Sequence, residues 1–172
     1  MKPTPWRPLA LLAALLWLAA CGYRISGTGD APAGIRSIAI PVFTNTSSEP
    51  EIHRDLTRAL QRAFVSDGRL NVVRRERADL VMQGELNHYS QKAASFDSSD
   101  VVLEYWVEVG VNVEVIDRAS GKPYIKKESH RVKWDYRTTP DLIVTEASRK
   151  FALEKAYREL GNRLVSLVLE RF

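Results

Sequence analysis

Residues 101–115, VVLEYWVEVGVNVEV, place Val101, Leu103, Tyr105, Val107, Val109, Val111, Val113 and Val115 at every second position. Glu104, Glu108, Asn112 and Glu114 stand between them, with Trp106 interrupting the polar series. A pleated strand sends successive side chains to opposite faces, so this run predicts one long β-strand with a buried face and a wetted face. Such alternation marks an antiparallel sheet that is covered on one side. Downstream, DRASGKP (117–123) supplies hairpin-turn residues, and YIKKESHRVKWDY (124–136) returns as the partner strand. Upstream, Leu80, Met82 and Leu86 alternate with Asp79, Gln83, Glu85 and Asn87, which predicts another long strand from about Ala78.

Before residue 78 the pattern changes. IRSIAIPVF (35–43) reads as a short strand, and Pro41 places that part of it near an edge or an end because proline cannot donate to a ladder. TNTSSEPE (44–51) follows, with Ser48 and Glu51 at capping-box spacing and Pro50 in a first helical turn. Ile52, Leu56, Ala59, Leu60, Ala63 and Phe64 then recur at helical spacing up to Gly68, a C-terminal cap. RLNVVRR (69–75) is a second short strand, and strand–helix–strand predicts a parallel pair.

The last segment opens with Thr139 as N-cap and Pro140 in the first turn. Leu153, Ala156, Tyr157, Leu160, Leu164, Leu167 and Val168 form the apolar stripe of a helix of about eight turns. Glu146 with Lys150 and Glu154 with Arg158 stand at favourable i, i+4 spacing. The predicted class is α/β: a two-layer sandwich of a mixed β-sheet, four to five strands, with two α-helices on one face.

The chain has 172 residues, 45% hydrophobic and 27% charged, enough for one domain with a core. Residues 1–20 differ from the rest. Lys2 and Arg7 precede an apolar run, Leu9 to Leu18, and no acid occurs there, which is a signal-peptide pattern. The run is about half the length that a bilayer-spanning helix requires. It ends in Leu18, Ala19, Ala20, Cys21, the order of a bacterial lipobox, whose thiol takes a diacylglyceryl group before cleavage frees the cysteine amine. Two or more acyl chains make membrane attachment stable. Residues 21–34, rich in glycine, read as a flexible tether, and 35–172 as the folded domain. Gly22, rather than an acid, follows the cysteine, which favours the outer membrane under enterobacterial sorting.

Removal of the leader lowers the net charge from +4 to +2. Global basicity therefore gives no case for nucleic acid. Gly27 and Gly29 lack the preceding strand and following Lys-Ser of a phosphate loop. His53, His88 and His130 are far apart, without companions at metal spacing, and no nucleophile elbow occurs. No catalytic residue, cofactor or metal is predicted.

Three surface features remain. Arg54, Arg58 and Arg62, four apart, form a basic stripe whose bland reading is a solvated face. Lys126, Lys127, Arg131 and Lys133 concentrate positive charge on one strand opposite Glu104, Glu108 and Glu114, which reads either as cross-strand pairing or as a phosphate-binding patch. Trp106, Trp134 and Tyr136 together suggest an amphipathic surface, and singly read as core.

The order Cys21, Gly22, Tyr23, then IRSIAIPVFTNTSSEPEIHRDLTRAL, ADLVMQGEL, the valine strand, the GKP hairpin and a terminal helix resembles the LptE family of lipopolysaccharide-assembly lipoproteins. The resemblance implies an outer-membrane lipoprotein, lipid-anchored on the periplasmic side, whose domain plugs the lumen of the LptD β-barrel, helps it assemble and binds lipopolysaccharide without catalysis. It also implies basic lipid contacts on the sheet. Here SFDSSD (95–100), before the valine strand, is acidic, which leaves Lys126, Lys127, Arg131 and Lys133 as the candidate contacts. The alternative is another outer-membrane lipoprotein with an α/β domain, a peptidoglycan-synthase activator or a secretion-channel subunit, which shares an IAI strand leading into a helix.

Overall fold

A computed structural model of the chain describes residues 34–170. The predicted leader, Cys21 and the tether up to residue 33 lie outside the described residues. The elements in chain order are β1 (Ser37–Ala39), β2 (Thr44–Asn45), α1 (Ile52–Asp67), β3 (Asn71–Val72), a 3₁₀ turn (Arg75–Arg77), β4 (Leu80–Phe96), β5 (Val102–Asp117), β6 (Pro123–Arg137) and α2 (Leu142–Leu169). Six strands form one sheet in the order β3-β1-β4-β5-β6, with β2 also paired to β4. β1 runs parallel to β3 and β4, whereas β5 runs antiparallel to both β4 and β6. The sheet is mixed, as expected, with one strand more than the upper expectation.

The extra strand comes from Pro41. The run 35–43 does not continue as one strand; β1 ends at Ala39 and β2 begins at Thr44. Helix α1 satisfies the backbone in the gap. The Phe43 amide donates to Thr57 Oγ1 at 3.0 Å, and Gln61 Nε2 donates to the Ile40 carbonyl at 2.9 Å. Thr57 is 1% exposed, and its own hydroxyl donates to the His53 carbonyl. A buried threonine on an apolar helix face thus completes a broken strand.

Both helices lie on one face. Val107, Val109, Val111, Val113 and Val115 of β5 share a core with Leu80, Met82 and Leu86 of β4, Leu56, Leu60 and Phe64 of α1, and Leu153, Ala156, Leu160 and Leu164 of α2. Burying each such branched side chain is worth about 1.5–3 kcal/mol. Two glycines set the spacing. A Cβ built on Gly161 would stand 2.8 Å from Ala63 Cβ, so α1 and α2 approach closely there. A Cβ on Gly84 would sit 2.1 Å from the Phe43 ring, which occupies the space that a side chain in β4 would need.

The helix ends differ from the sequence expectation. Glu51, not Ser48, precedes α1, at φ 66° and without a side-chain cap bond. Asn45 organises the loop before it: its side chain accepts from the Ser47 amide and donates to the Glu49 carbonyl. At the other end Gly68, φ 78°, caps as expected, its amide donating to the Phe64 carbonyl. For α2 the N-cap is Asp141 rather than Thr139, and its carboxylate accepts from the amides of Ile143 and Val144. Glu146 pairs with Arg149, three residues on, rather than with Lys150.

A register shift between Leu86 and His88 in β4 turns Tyr89 inward, opposite Val109. The inner face of β5 is not covered along its whole length, since Leu103 is exposed, as is Val101 just before the strand. The fit at Gly84 makes a stability prediction. Gly84→Ala should lower unfolding free energy by about 1–3 kcal/mol in urea denaturation, and adding Phe43→Leu should recover part of the loss; an unchanged single variant would contradict the packing.

Candidate functional site

β6 is an edge strand, so one side of its backbone is unpaired by β5 and its outward side chains are open to partners. Ile125 pairs with Val115 and Glu128 with Val113, three steps against two, so a bulge leaves both Lys126 and Lys127 exposed. Beyond it Arg131 and Lys133 alternate outward with buried Val132 between them. The structure therefore brings the four predicted cations onto one open strip.

Their partners are weakly held. Lys127 Nζ is 3.9 Å from Glu85 Oε2, and Arg131 Nη1 is 3.7 Å from Glu108 Oε1, with the two cationic side chains 65% and 61% exposed. Exposed pairs of this length contribute well under 1 kcal/mol, so exchanging the carboxylate for another anion costs little. Lys133 Nζ stands 4.2 Å above the Trp106 ring. Lys126 has no ion pair among the described residues. Gly110 leaves room for Arg131 to lie across β5, since a Cβ there would be 3.2 Å from Arg131 Cγ and 2.9 Å from His88 Cβ. Cross-strand pairing thus accounts for Lys127 and Arg131, and the same two groups remain open to solvent.

A groove of about 370 Å³ opens beside Lys127, lined by Pro41, Val42, Arg75, Gly84 and Glu85 among others. Val42 is 61% exposed. Cations with an exposed aliphatic wall suit an amphiphile that carries phosphate. Sequence reading missed Arg75 and Val42 as companions of Lys127. The available signal was Pro41, which stops the ladder and leaves this side of β4 uncovered.

The aromatic residues do not form a single surface. Trp106 lies outward beneath Lys133, whereas Trp134 and Tyr136 face the helices. Trp134 Nε1 donates to Glu159 Oε2 at 2.9 Å, and Tyr136 stacks on Tyr105 with centroids 5.6 Å apart. Arg54 pairs with Glu51 and Arg58 with Asp55, so two of the three stripe arginines are solvated helix-surface pairs. Arg62 instead lines a groove between the helices with Arg69 and Arg158. The three histidines stay apart: His88 approaches Glu108 and His130 approaches Glu128, each at 3.8 Å. Among the described residues no group of three His, Cys, Asp or Glu side chains could hold a metal ion.

Sequence reading also missed an inward ionic knot. Arg149 donates Nη1 to Glu49 Oε1 at 3.1 Å and to the Tyr89 hydroxyl at 3.0 Å, and grips Glu146 through Nε and Nη2 at 2.9 Å. It ties α2 to β4 and to the loop before α1. The hydrogen bond to Arg149 holds the Glu146 carboxyl below its usual range. Burial raises the Tyr89 phenol and pushes Tyr136 up to about 12.

At the far end of the sheet Phe96, Val101, Leu103, Leu142 and Ile143 are exposed apolar residues. Among the described residues no helix is long and apolar enough to cross a membrane.

The family profile LptE, Lipopolysaccharide-assembly, matches residues 35–168. No curated protein matches the chain. Many solved structures share the fold, among them these three. Rare lipoprotein B from Shewanella oneidensis is 16% identical, with 73% of this chain and 91% of that one covered and a TM-score of 0.53. Lipoprotein B from Nitrosomonas europaea is 15% identical over 80% of this chain and 86% of that one, TM-score 0.51. The PelC dodecamer from Paraburkholderia phytofirmans is 16% identical over 83% and 95%, TM-score 0.53.

The Tyr136 environment makes a pH prediction. The folded state keeps this phenol neutral above the ordinary value of 10.0, so its contribution to stability is intact below that pH and is lost as pH rises toward about 12. Near-ultraviolet titration should show a late phenol that Tyr136→Phe removes, together with a shallower alkaline loss of stability; an unchanged titration would contradict the burial.

Proposed function

The chain belongs to the LptE lipopolysaccharide-assembly family, and from that premise we propose that it is an outer-membrane lipoprotein, anchored through Cys21, that seats its domain in the lumen of an LptD-type β-barrel and binds lipopolysaccharide there. The role is binding and assembly, without catalysis. The observation that carries the lipid part is the open strip of β6. Lys126, Lys127, Arg131 and Lys133 are exposed on one edge strand, and the carboxylates beside Lys127 and Arg131 are distant enough to be exchanged for lipid phosphates. Lys127 also borders the groove with Arg75 and Val42, which offers phosphate and acyl groups adjacent contacts.

The exposed apolar end supports the barrel part. Phe96, Val101, Leu103, Leu142 and Ile143 would be costly to leave against water and suit enclosure by another protein or lipid. The alternative, an α/β lipoprotein that forms a ring of its own copies or activates a periplasmic synthase, differs in its stoichiometric partner.

Two measurements test this reading. Affinity purification of the native protein from outer membranes should yield a detergent-stable complex with one large β-barrel; a lone monomer, a homomeric ring or a synthase would refute it. Lys127→Glu with Arg131→Glu should weaken lipopolysaccharide binding by roughly tenfold or more at low ionic strength, the difference shrinking as salt shortens the Debye length. Unchanged affinity would exclude β6 as the lipid contact.

A further inference from the structure

The charge of the domain is divided along the long axis of the sheet. β4 contains 17 residues, which at about 3.3 Å each makes a strand of roughly 50 Å. At the end where β1 and β4 begin and β5 meets β6 stand Arg36, Arg74, Arg75, Arg77, Arg118 and Lys122, all exposed. They are neighbours through the backbone. The Ser37 hydroxyl bonds to the Arg77 carbonyl, the Arg118 amide donates to the Asp79 carbonyl, and the Asp117 amide donates to the Lys122 carbonyl.

Three acids stand among these six cations, which leaves the end a net charge of +3: Glu76 is exposed between Arg75 and Arg77, and Asp79 and Asp117 are held by backbone amides. The Asp79 carboxylate accepts from the amides of Arg36 and Ser37 and from the Ser37 hydroxyl. The Asp117 carboxylate accepts from the amides of Ala119 and Ser120. Among the described residues the side chains of Arg36, Arg74, Arg77 and Lys122 have no ion pair. The opposite end carries Asp97, Asp100 and Asp141 beside exposed Phe96, Val101 and Leu142. The domain is thus a rod with a cationic pole and an acidic, apolar tip.

The chain enters at the cationic pole, since Gly34 is two residues from Arg36. Twelve residues lie between Cys21 and Gly34, thirteen steps along the chain, a reach of at most about 45 Å. That length tolerates many orientations of the rod against a membrane that holds Cys21; the charges select among them. Each cation near an anionic leaflet is attracted within a Debye length, and several on one surface act together.

We propose that this pole is a membrane-docking surface that rests on anionic phospholipid headgroups, of the phosphatidylglycerol type, in the leaflet that holds the acyl chains of Cys21. The docking rests on the lipoprotein reading of Cys21; it shares Arg75 with the groove beside Lys127 and is tested through Arg74, Arg77 and Lys122, which do not line that groove. It orients the rod with the β5–β6 turn at the headgroups and the β4–β5 turn away from them.

The acylated protein, reconstituted in vesicles, tests this. Cys21 is the chain's single cysteine, and once acylated it takes no thiol label, so Ser120→Cys or Ser99→Cys places a fluorescent donor at one end of the rod. With a headgroup acceptor in phosphatidylcholine vesicles containing a third of phosphatidylglycerol, transfer from residue 120 should exceed that from residue 99 at least about twofold. The ratio should fall to about one in pure phosphatidylcholine, at high salt, and in Arg74→Gln/Arg77→Gln/Lys122→Gln, while Lys127→Glu/Arg131→Glu leaves it unchanged. Equal transfer from both ends, a difference that persists in neutral vesicles, equal loss in the β6 variant, or a rise only when lipopolysaccharide replaces phosphatidylglycerol would each overturn the proposal. The intact mass of the purified protein reports acylation separately, so a missing anchor and a failed pole give different records.

Discussion

Two helices can share one face of this sheet only because every second residue of β5 turns toward them. The buried valines from Val107 to Val115 make that face of β5 apolar, and the outward positions between them carry its charge. A one-residue slip would exchange the faces along the whole ladder. The bulges in β4 and β6 are therefore decisive: each inserts a residue without losing the face, one turning Tyr89 toward Arg149 and the other leaving Lys126 and Lys127 on the open side. Core and surface chemistry follow from the same register.

The long strands were legible because their period is local and unambiguous. The βαβ unit and Gly68 could be read for the same reason. What could not be read depends on contacts between distant segments. Nothing within TNTSSEPE shows that Asn45 rather than Ser48 organises the loop, because capping residues are short, polar and interchangeable in sequence. Nor does a pattern announce that Arg149 reaches both Glu49 and Tyr89, residues far removed in the chain. The inward turn of Trp134 and Tyr136 against the outward turn of Trp106 follows from the pairing of β5 with β6, which a list of aromatic residues does not contain.

The basic strip was visible as composition and became interpretable only as geometry. Its edge position provides a further physical role for lysine. An exposed 15-residue edge strand invites unwanted strand pairing, and charged side chains discourage it. The same lysines can serve both purposes, since resisting another backbone and attracting a phosphate both require an open, hydrated cation. Arg163 covers one point of the edge by donating to the Arg131 carbonyl.

The length of β4 has a consequence of its own. The hydrocarbon core of a bilayer is about 30 Å thick, less than the roughly 50 Å between the two ends of this 17-residue strand. The sheet is stiffened by two ladders along most of that span, so its ends cannot be brought to a common depth without tilting the whole domain nearly flat. In any upright pose the two turns therefore stand at depths that differ by more than the thickness of that core, roughly 50 Å against about 30 Å, and a single rigid body fixes both at once.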